Sequence, residues 1–500
     1  MNIALFLEMA AEAQGDRVAF KDALTGESIS FAGLYKAAQA KSQVLHESGA
    51  SHCALIDTSN LTIPVALFAS GWSGIPYVPI NYRLTTDEID ALIDRVKPAF
   101  VVTDAERREA WVDRDDLIIH DRQSFRDVHA QSDDIAHWSM EPDDVAVVLF
   151  TSGTTGAPKA AIMRHRHLVS YTLMMDFGSA DEDEAALVTV PPYHIAGIAA
   201  ILTSVYQCRR VVQLATFEPD NWLRVAREEG ITSTFVVPTM LARIVESLEG
   251  QRSANLPNLQ AISYGGGKMP LNVIRKAMDL FPDTEFTNAY GLTETSSTIT
   301  VLGPEEHRTA VASIDPTTQK RLTSVGLPVP GIEIAIRDDE GRDLATNVHG
   351  EIFVRGDQVS GEYEGIGSRV DDDGWFPTRD AGYVDDDGYL FLDGRADDVI
   401  VRGGENLSPG EIEDVLRDHE CVRDAAVVGM PSEEWGEAVA AAVEVSHDVS
   451  VETLQSWVRE HMRSSRVPEQ IQFWDELPYN ETGKLLRRIV KEAFADPSST

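Results

Sequence analysis

The chain has 500 residues, of which 43% are hydrophobic. This length suits about three globular domains, or one large domain with a small one, each with an ordinary core. Forty-three basic residues stand against 81 acidic residues, which gives a formal net charge of −38. Such an acidic surface repels nucleic-acid phosphates and anionic lipid, so nucleic acids and membrane surfaces are excluded as expected partners.

The cysteines indicate a reducing compartment. Cys53, Cys208 and Cys421 are odd in number, far apart and free of any Cys-x-x-Cys pattern, which argues against a disulfide framework and a zinc site. The segment 1–14 lacks the basic part of a signal peptide, and no apolar run approaches the length of a membrane-spanning helix. We therefore expect a cytoplasmic protein without an integral membrane segment.

The N-terminal part of the chain, up to Thr103, alternates between helical and strand-like patterns. Apolar residues recur at helical spacing between Phe31 and Val44, for example. The predicted elements are helices over 2–14 and 30–48, a strand at 53–56, a helix at 63–73, a strand at 77–80, a helix near Asp87 and a strand at 100–103. This alternation is typical of a parallel α/β sheet.

The α/β pattern continues past the middle of the chain and then gives way to a β-rich region. The next predicted elements are strands at 145–150, 188–190, 210–214 and 233–237 and a helix at 219–229. Residues 324–394 predict short strands, in which Asp-Asp-Gly at 372–374 and at 386–388 forms tight turns. We expect a large N-terminal domain of parallel-rich sheets and helices that carries a β-rich subdomain.

A second, smaller domain is predicted at the C-terminal end. A glycine followed by closely spaced charges at 393–398 is a reasonable flexible joint. Ser408 and Glu411 form a capping-box pattern at the start of a helix. Strands at 399–401, 422–428 and 438–445 and a helix at 451–461 complete a compact α+β domain. The predicted domains therefore span residues 1–394 and 395–500.

A polar loop carries the first chemical signal. Residues 149–159 continue the strand at 145–150 and contain four hydroxyls, two glycines, Pro158 and Lys159. Glycines let main-chain amides approach a ligand closely, and amides, hydroxyls and an ammonium group together suit a polyphosphate. The loop is not a Walker A motif, because Pro158 stands where that motif has its second glycine. By composition alone, an ordinary polar surface loop is an equal alternative.

The loop resembles the phosphate loop of the acyl-adenylate-forming superfamily, which includes acyl-CoA synthetases, peptide-synthetase adenylation domains and luciferases. The family's usual glycine after the lysine is Ala160 here. Further blocks in the family's order lie between Gly74 and Lys484, so the resemblance covers nearly the whole chain. It implies that ATP contacts Thr151, Ser152, Gly153, Thr154, Thr155, Gly156 and Lys159, and that Thr151 also helps to hold Mg²⁺.

A second block, Pro-Pro-Tyr-His-Ile-Ala-Gly at 191–197, resembles the family's acid-binding motif. A lone histidine after a tyrosine is usually structural, but the resemblance implies that His194 lies at the carboxylate pocket. Adenylation domains for α-amino acids carry an aspartate nearby. Finding His-Ile-Ala instead disfavours amino acids, because an amine buried without a counter-charge is costly.

A third block, Phe-Thr-Asn-Ala-Tyr-Gly-Leu-Thr-Glu at 286–294, resembles the core adenylate motif. Tyr290 offers a flat face for adenine, Thr293 a hydroxyl for the α-phosphate and Glu294 a hard oxygen ligand for Mg²⁺. By family position, the three glycines at 265–267 pass beside the adenine and the acyl group. The implied nucleotide-binding residues of these two blocks are Gly265, Gly266, Gly267, Asn288, Ala289, Tyr290, Gly291 and Thr293.

Gly291 is the most informative difference among relatives. Acetyl-CoA synthetases place a tryptophan at the matching position, which shortens the acyl pocket, whereas glycine leaves it open. Small residues near His194 support a roomy pocket for a larger apolar acid. The implied acyl pocket comprises His194, Ile195, Ala196, Gly197, Gly265 and Gly291.

The remaining blocks concern the ribose, the hinge, CoA and the C-terminal lysine. The resemblance implies that Asp380 accepts from both ribose hydroxyls, that Arg395 reaches the ribose or phosphate, and that the mobile small domain pivots at Asp397. Arg402, Gly403 and Gly404 are implied to line the CoA tunnel. In Leu-Pro-Tyr-Asn-Glu-Thr-Gly-Lys at 477–484, Lys484 matches the adenylation lysine. The implied catalytic residues are therefore Lys484, Glu294, Thr293 and His194.

The sequence thus predicts an ATP- and Mg²⁺-dependent carboxylic acid–CoA ligase that releases AMP and pyrophosphate, with homodimers common in the family. One alternative loads the acyl group onto a carrier protein. A fatty acyl-AMP ligase that stops at the adenylate usually carries an insertion before the hinge, which is not found here. A catalytically silent adenylate-binding protein is disfavoured by the intact set of motif residues.

Overall fold

The computed structural model describes residues 1–127, 140–151, 158–174, 180–403, 405–432, 434–479 and 485–495, without the side chains of Asp397 and Asn406. The interior of the predicted phosphate loop (152–157), Gly404 and Lys484 lie outside the described residues.

Helices of the described residues follow the chain from one end to the other. They are Ala4–Gln14 (α1), Phe31–Ser48 (α2), Thr62–Ser73 (α3), Thr86–Arg95 (α4), Ala105–Ala110 (α5), Arg122–Asp127 (α6), His165–Met174 (α7), Ile195–Tyr206 (α8), Pro219–Glu228 (α9), Pro238–Ser247 (α10), Leu271–Leu280 (α11), Pro304–Ala312 (α12), Pro316–Lys320 (α13), Pro409–Arg417 (α14), Val451–His461 (α15) and Arg487–Ala495 (α16). Short 3₁₀ turns lie at Thr293–Thr295, Arg321–Thr323, Ala396–Asp398 and Ser464–Arg466.

Strands alternate with these helices in the N-terminal half of the chain and dominate between Ser297 and Leu407. They are Val18–Asp22 (β1), Ser28–Ser30 (β2), His52–Ile56 (β3), Tyr77–Pro79 (β4), Ala99–Thr103 (β5), Leu117–Asp121 (β6), Val145–Thr151 (β7), Lys159–Arg164 (β8), Ala185–Val188 (β9), Arg210–Gln213 (β10), Ser233–Val236 (β11), Ala261–Gly265 (β12), Glu285–Leu292 (β13), Ser297–Leu302 (β14), Leu327–Pro328 (β15), Glu333–Arg337 (β16), Gly350–Arg355 (β17), Glu362–Tyr363 (β18), Gly367–Ser368 (β19), Phe376–Val384 (β20), Leu390–Arg395 (β21), Ile400–Arg402 (β22), Glu405–Leu407 (β23), Val422–Ser432 (β24), Gly436–Val445 (β25) and Gln470–Phe473 (β26).

Local chemistry explains several helix starts. Thr85 and Glu88 form a reciprocal capping box at α4, whose apolar residues Ile89, Leu92 and Ile93 are buried. At α14, Ser408 accepts from the Glu411 amide as predicted, but the Glu411 carboxylate contacts Arg466. Only the serine contact of the predicted capping box therefore forms at α14. The glutamate side chain instead links α14 to Arg466 within the small C-terminal region.

Two large sheets form the N-terminal region. The nine-stranded sheet has the order β15-β14-β13-β12-β11-β9-β10-β1-β2, and its central strands from β13 to β1 pair in parallel. The eight-stranded sheet has the order β19-β18-β8-β7-β4-β3-β5-β6, with parallel pairing from β7 to β6. Every residue of α3 is buried, which makes it a central helix of the core with α1, α2 and α8. The predicted parallel-rich α/β domain is confirmed.

Two smaller sheets complete the fold. The antiparallel sheet β16-β17-β20-β21 is the β-rich subdomain, and its β20–β21 hairpin turns at the predicted Asp-Asp-Gly of residues 386–388. The C-terminal region has the sheet β23-β22-β25-β24, with β26 paired to β25 and with α14, α15 and α16 packed against it. The predicted smaller α+β region is also confirmed. Among the described residues, no helix is both long enough and apolar enough to cross a bilayer.

Long-range pairing adds strands that the sequence pattern did not predict. Val18–Asp22 (β1) pairs in parallel with Arg210–Gln213 (β10), which lies far away along the chain. Leu117–Asp121 (β6) extends the eight-stranded sheet beyond the strand that was expected to close it. Both strands are short and only partly apolar, so their assignment depends on the partner strand that is already in place.

Candidate functional site

The end of β13 is the centre of the candidate site. The strand runs into the 3₁₀ turn Thr293–Thr295 and returns as β14, with Ser296 and Ser297 at left-handed φ values of 55° and 110°. A Cβ atom on Gly291 would lie 1.7 Å from the Ser297 carbonyl oxygen. This hairpin therefore requires glycine at position 291, whatever ligand lies in front of it.

Tyr290, Asp380 and Arg395 lie together, although they are far apart in the sequence. The Tyr290 hydroxyl donates to Asp380 Oδ2 at 2.6 Å, and Arg395 Nη1 lies 3.2 Å from Asp380 Oδ1. Register explains the second contact, because Asp380 on β20 pairs directly with Arg395 on β21. The predicted adenine, ribose and phosphate residues thus share one wall of the site.

The ionisation states of this group follow from its burial. Burial and the neighbouring Asp380 raise the pKa of Tyr290 well above its ordinary value, so the phenol stays protonated and acts as a donor. Burial disfavours the Arg395 charge, but the surrounding acidic groups, of which Asp380 contributes most, together more than offset it and hold the pKa of Arg395 above its ordinary value. The group therefore carries a fixed carboxylate–guanidinium pair at neutral pH.

Glu294 lies in the 3₁₀ turn beyond β13 and is held at both ends. Its main-chain carbonyl accepts from the amides of Ser360 and Gly361 at 2.8 and 3.2 Å. Its carboxylate oxygen Oε1 accepts from the Tyr363 hydroxyl at 2.5 Å. No signal in the sequence points to Tyr363, because β18 is very short and no motif spacing links it to Glu294. The contact arises when β18 pairs with β8.

The two ends of the predicted phosphate loop are adjacent. Thr151 and Lys159 face each other in the antiparallel pair β7–β8, and the Thr151 hydroxyl donates to the Lys159 carbonyl at 3.4 Å. The Lys159 ammonium lies 5.6 Å from the centre of the Tyr363 ring. Arg95 at the end of α4 donates to the Pro158 carbonyl at 2.6 Å and lies against the Phe150 ring. The strands β7 and β8, the helix α4 and the short strand β18 thus converge where the loop begins and ends.

A pocket lies on the other side of β13. It is a half-open depression whose interior cavity measures about 50 Å³. The predicted acyl-pocket residues His194, Ile195, Ala196 and Gly291 belong to its wall. Its described lining comprises Val190, Pro191, His194, Ile195, Ala196, Phe235, Val237, Met240, Gly266, Ala289, Gly291, Ser297 and Thr298.

His194 closes this pocket at the start of α8. It is the N-cap of that helix, and its Nδ1 accepts from the Ala196 amide at 3.2 Å. Burial lowers the pKa of His194 to about 4, so the ring is neutral at physiological pH. Since Nδ1 accepts, the neutral ring carries its proton on Nε2, which leaves an N–H donor for a ligand oxygen.

Two glycines that were assigned to ligand contact also have a packing reason. A Cβ on Gly265 would lie 2.1 Å from the Ala289 carbonyl oxygen on the neighbouring strand, and one on Gly197 would lie 2.8 Å from the Pro191 carbonyl oxygen. Neither belongs to the described pocket lining, whereas Gly266 does. Asn288 is buried and donates to the Ser324 carbonyl at 3.1 Å. Proximity of these three residues to a ligand stays a prediction.

The predicted CoA-contacting residues lie at the start of the C-terminal region. Arg402 lies 2.5 Å from the Glu469 carboxylate, donates to the Ser465 carbonyl and stacks on the Trp435 ring. The Gly403 amide donates to the Trp435 carbonyl at 2.7 Å. Arg402 is therefore already engaged, and a role in CoA binding stays a prediction for these residues.

Close to the predicted boundary, His349 and Asp393 form an ion pair. His349 Nδ1 lies 2.6 Å from Asp393 Oδ2, and the Asp393 carbonyl accepts from Ser408 at the start of α14. The Asp393 hydrogen bond raises the pKa of His349, aided by Glu411 and opposed by burial and Lys320. A histidine whose pKa is raised by folding stabilises the folded state fully at pH values below its unfolded-state pKa of about 6.5. This stabilisation is lost as the pH rises through the pKa of the folded state.

We therefore expect His349→Gln to lower the melting temperature more at pH 6 than at pH 8.5, compared with the exposed control His447→Gln. The effect should stay below about 1 kcal/mol, because a half-exposed pair is screened by solvent. Thermal unfolding of both variants and the parent at the two pH values measures it. An equal decrease at both pH values would show that the ionic contact contributes nothing.

Comparison with known proteins agrees with this architecture. Residues 7–364 match the family described as AMP-binding enzyme, and residues 411–484 match the AMP-binding enzyme C-terminal domain. Because the first match covers more than half of the chain, the chain belongs to the AMP-binding enzyme family. The predicted membership of the acyl-adenylate-forming superfamily is confirmed.

Individual relatives narrow the class. The chain is 31% identical over 449 residues to a fatty acid–[acyl-carrier-protein] ligase of Streptomyces coeruleorubidus, covering 86% of this chain and 84% of that protein. It is 32% identical over 435 residues to 2-succinylbenzoate–CoA ligase of Bacillus pumilus, covering 85% of each. The o-succinylbenzoate CoA synthetase of Bacillus subtilis, solved with its acyl-adenylate intermediate, superposes with a TM-score of 0.85 at 28% identity and 97% coverage of both chains. The same enzyme has been solved with ATP and a magnesium ion. The prediction of an acid–thiol ligase that uses ATP is confirmed at the level of its class.

Proposed function

We propose that this enzyme activates a carboxylic acid that has an apolar body and a single charge, forming an acyl-AMP and pyrophosphate, and then transfers the acyl group to CoA. The observation that carries the proposal is the alternation of side chains along β13. Successive residues of a strand face opposite sides. Ala289 and Gly291 line the acyl pocket, while Tyr290 between them contacts Asp380 in the nucleotide group. The body of the acid and the ribose would thus lie on opposite faces of one strand, while the carboxylate and the α-phosphate have to meet beyond its end, within about 3.5 Å of each other.

The lining of the acyl pocket supports the choice of acid. Its described residues are mainly aliphatic or aromatic, and its one titratable side chain is the neutral His194. A second carboxylate or an ammonium group buried there without a counter-charge would be costly. Fatty, aryl and ring monoacids match this lining better than dicarboxylic acids and α-amino acids do. A role in fatty acid or lipid metabolism is one outcome of this specificity, and an aryl-acid pathway is another.

The nucleotide half of the site supplies the polar chemistry. A carboxylate and ATP are both anions, so their approach and the developing charge on phosphorus need fixed positive charge. Glu294 and Thr151 offer a carboxylate and a hydroxyl, which fit Mg²⁺, since that ion is usually held by one or two carboxylates together with phosphate oxygens. When bound, Mg²⁺ neutralises charge on the phosphates. Asp380 would bind the ribose, His194 the acid, and Lys484 the reacting oxygens.

The second step needs a different arrangement of the chain. We propose that residues 395–500 form a small domain that turns about Asp397, removing Lys484 and presenting Gly403 and Gly404 to the thiol. The separate family match at residues 411–484 supports this division of the chain. The reduced cysteines and acidic surface further support a cytoplasmic enzyme.

A panel of acids tests the proposal. With ATP, Mg²⁺ and CoA, we expect AMP and pyrophosphate with medium-chain fatty acids or aryl monoacids, and at least about tenfold less with the matching dicarboxylic acids, a factor that corresponds to about 1.4 kcal/mol. Acetate and α-amino acids serve as the small and the charged controls. Production of no AMP with any acid would refute the function, and a preference for dicarboxylates would refute the pocket assignment.

Transfer to a carrier protein is the second candidate, since one relative carries the name of a fatty acid–[acyl-carrier-protein] ligase. The two candidates share the first step and differ only in the thiol. With the best acid of the panel, the enzyme is supplied either with free CoA or with a phosphopantetheinylated carrier protein. Thioester formation on CoA supports the proposal, and formation on the carrier alone supports the alternative.

A further inference from the structure

Tyr363 holds the Glu294 carboxylate in a fixed orientation. We infer that Tyr363 is a positioning residue that prepares Glu294 to bind the metal of Mg²⁺·ATP. The inference rests on the proposed function, because it takes Glu294 as a metal ligand. A phenol that donates to one carboxylate oxygen fixes the carboxylate plane and leaves the second oxygen for a cation.

The contact is short and well defined. The Tyr363 hydroxyl lies 2.5 Å from Glu294 Oε1. The phenol is the donor in this contact, because an ionised carboxylate has only acceptor oxygens. A hydrogen bond to an ionised carboxylate is roughly twice as strong as one between neutral groups. Such a bond is strong enough to fix the orientation of the carboxylate.

A single segment, residues 360–364, links the metal ligand to the phosphate loop. Its start binds the Glu294 carbonyl through the amides of Ser360 and Gly361. Its end pairs with β8, the strand that follows the loop, since Tyr363 pairs with Ala161 and the Glu364 amide donates to the Ala160 carbonyl at 2.9 Å. Tyr363 therefore lies on a stretch of the chain that contacts both the Glu294 turn and β8.

The charges around the phenol fit a phosphate–metal site. The Lys159 ammonium lies over the ring face, 5.6 Å from its centre, and Arg95 binds both the Pro158 carbonyl and Glu364 Oε2. A cation over an aromatic face is attracted by the ring electrons, so the ring also restrains the ammonium. One side chain thus contacts an acidic residue through its hydroxyl and a basic residue through its ring. Both of those residues are expected at the triphosphate.

Tyr363→Phe separates the role of the hydroxyl from the packing of the ring. We expect the Mg²⁺ concentration for half-maximal pyrophosphate release to rise about tenfold, the lower end of the loss seen when a partner of a metal ligand is removed. Its melting temperature without ligand should equal that of the parent within about 2 °C, because the ring and its contact with Lys159 remain. Tyr389→Phe, whose ring stacks on Arg321 at the turn of the β20–β21 hairpin, is the matched control and should leave the Mg²⁺ dependence unchanged.

A binding readout keeps the test independent of turnover. Mn²⁺ is added to ATP and enzyme without acid, and the bound fraction is measured by electron paramagnetic resonance. Weaker Mn²⁺·ATP binding in Tyr363→Phe with unchanged binding of ATP in EDTA supports the inference. Equal Mn²⁺ binding and equal Mg²⁺ dependence in Tyr363→Phe and the parent would overturn it, even if the parent is an active ligase. If the parent enzyme releases no pyrophosphate with any acid, the proposed function is refuted instead.

Discussion

Replacing Lys484 by alanine is expected to lower the rate of acyl-adenylate formation by about 100- to 1000-fold, the usual loss when one pre-placed donor to a developing charge is removed. The physical reason is the repulsion between two anionic substrates, which a lysine ammonium offsets where negative charge grows. Thioester formation from supplied acyl-adenylate and CoA should stay within about threefold of the parent, since no bond to phosphorus is made or broken in that step and AMP leaves from the acyl carbon. Pyrophosphate release and acyl-CoA formation, measured separately, give the two rates.

Lys491→Ala is the matched control, because this lysine lies on α16, a short way further along the chain. It should leave both rates unchanged. If Lys484→Ala slowed both steps equally, Lys484 would not be specific to adenylation, and its assignment by resemblance would be wrong.

Replacing Gly291 by alanine is expected to destabilise the enzyme by about 3 kcal/mol, a cost at the upper end of overpacking effects, and to lower activity with every acid. The cause is the 1.7 Å approach of a Cβ to the Ser297 carbonyl oxygen, which forces β14 away from β13. The cost is high because the obstructing atom belongs to the main chain and cannot rotate away. Gly291→Trp should destabilise the enzyme more than Gly291→Ala does, and it should not gain activity with acetate. Melting temperature and the acid panel together measure the effect.

Ala196→Leu is the control, since this residue lines the same pocket from α8. It should keep the melting temperature close to that of the parent and shift preference towards smaller acids by filling space. Normal stability of Gly291→Ala, with a simple shift to smaller acids, would contradict the hairpin argument and would restore a role in pocket size alone.

The sequence determined much of the site because its motifs are local. The block at 286–294 brings Tyr290, Gly291 and Glu294 together on one strand and the turn beyond it, and His194 begins α8 at the end of its own block. Contacts between blocks are different, because they depend on strand register. Asp380 meets Arg395 through the β20–β21 register, and β18 brings Tyr363 to Glu294 by pairing with β8. The spacing of these residues along the chain does not predict either contact.

At Gly291, the sequence and the structure give different reasons for the glycine. The resemblance singled out Gly291 and interpreted its missing side chain as space for the acid. Its neighbours supply another reason, because the Ser297 carbonyl oxygen already fills the position of a side chain. A close approach between two strands leaves no trace in composition or periodicity.

The sequence by itself determined the family, the α/β order of elements and the chemical types at the site, because short blocks of glycines, hydroxyls and charges act within one loop or strand. Only the tertiary structure decided that β13 separates the acyl pocket from the Tyr290–Asp380–Arg395 group, and that Tyr363 braces Glu294. Those arrangements come from the pairing of strands that lie far apart along the chain, as between β8 and β18, and burial of the shared core fixes that pairing.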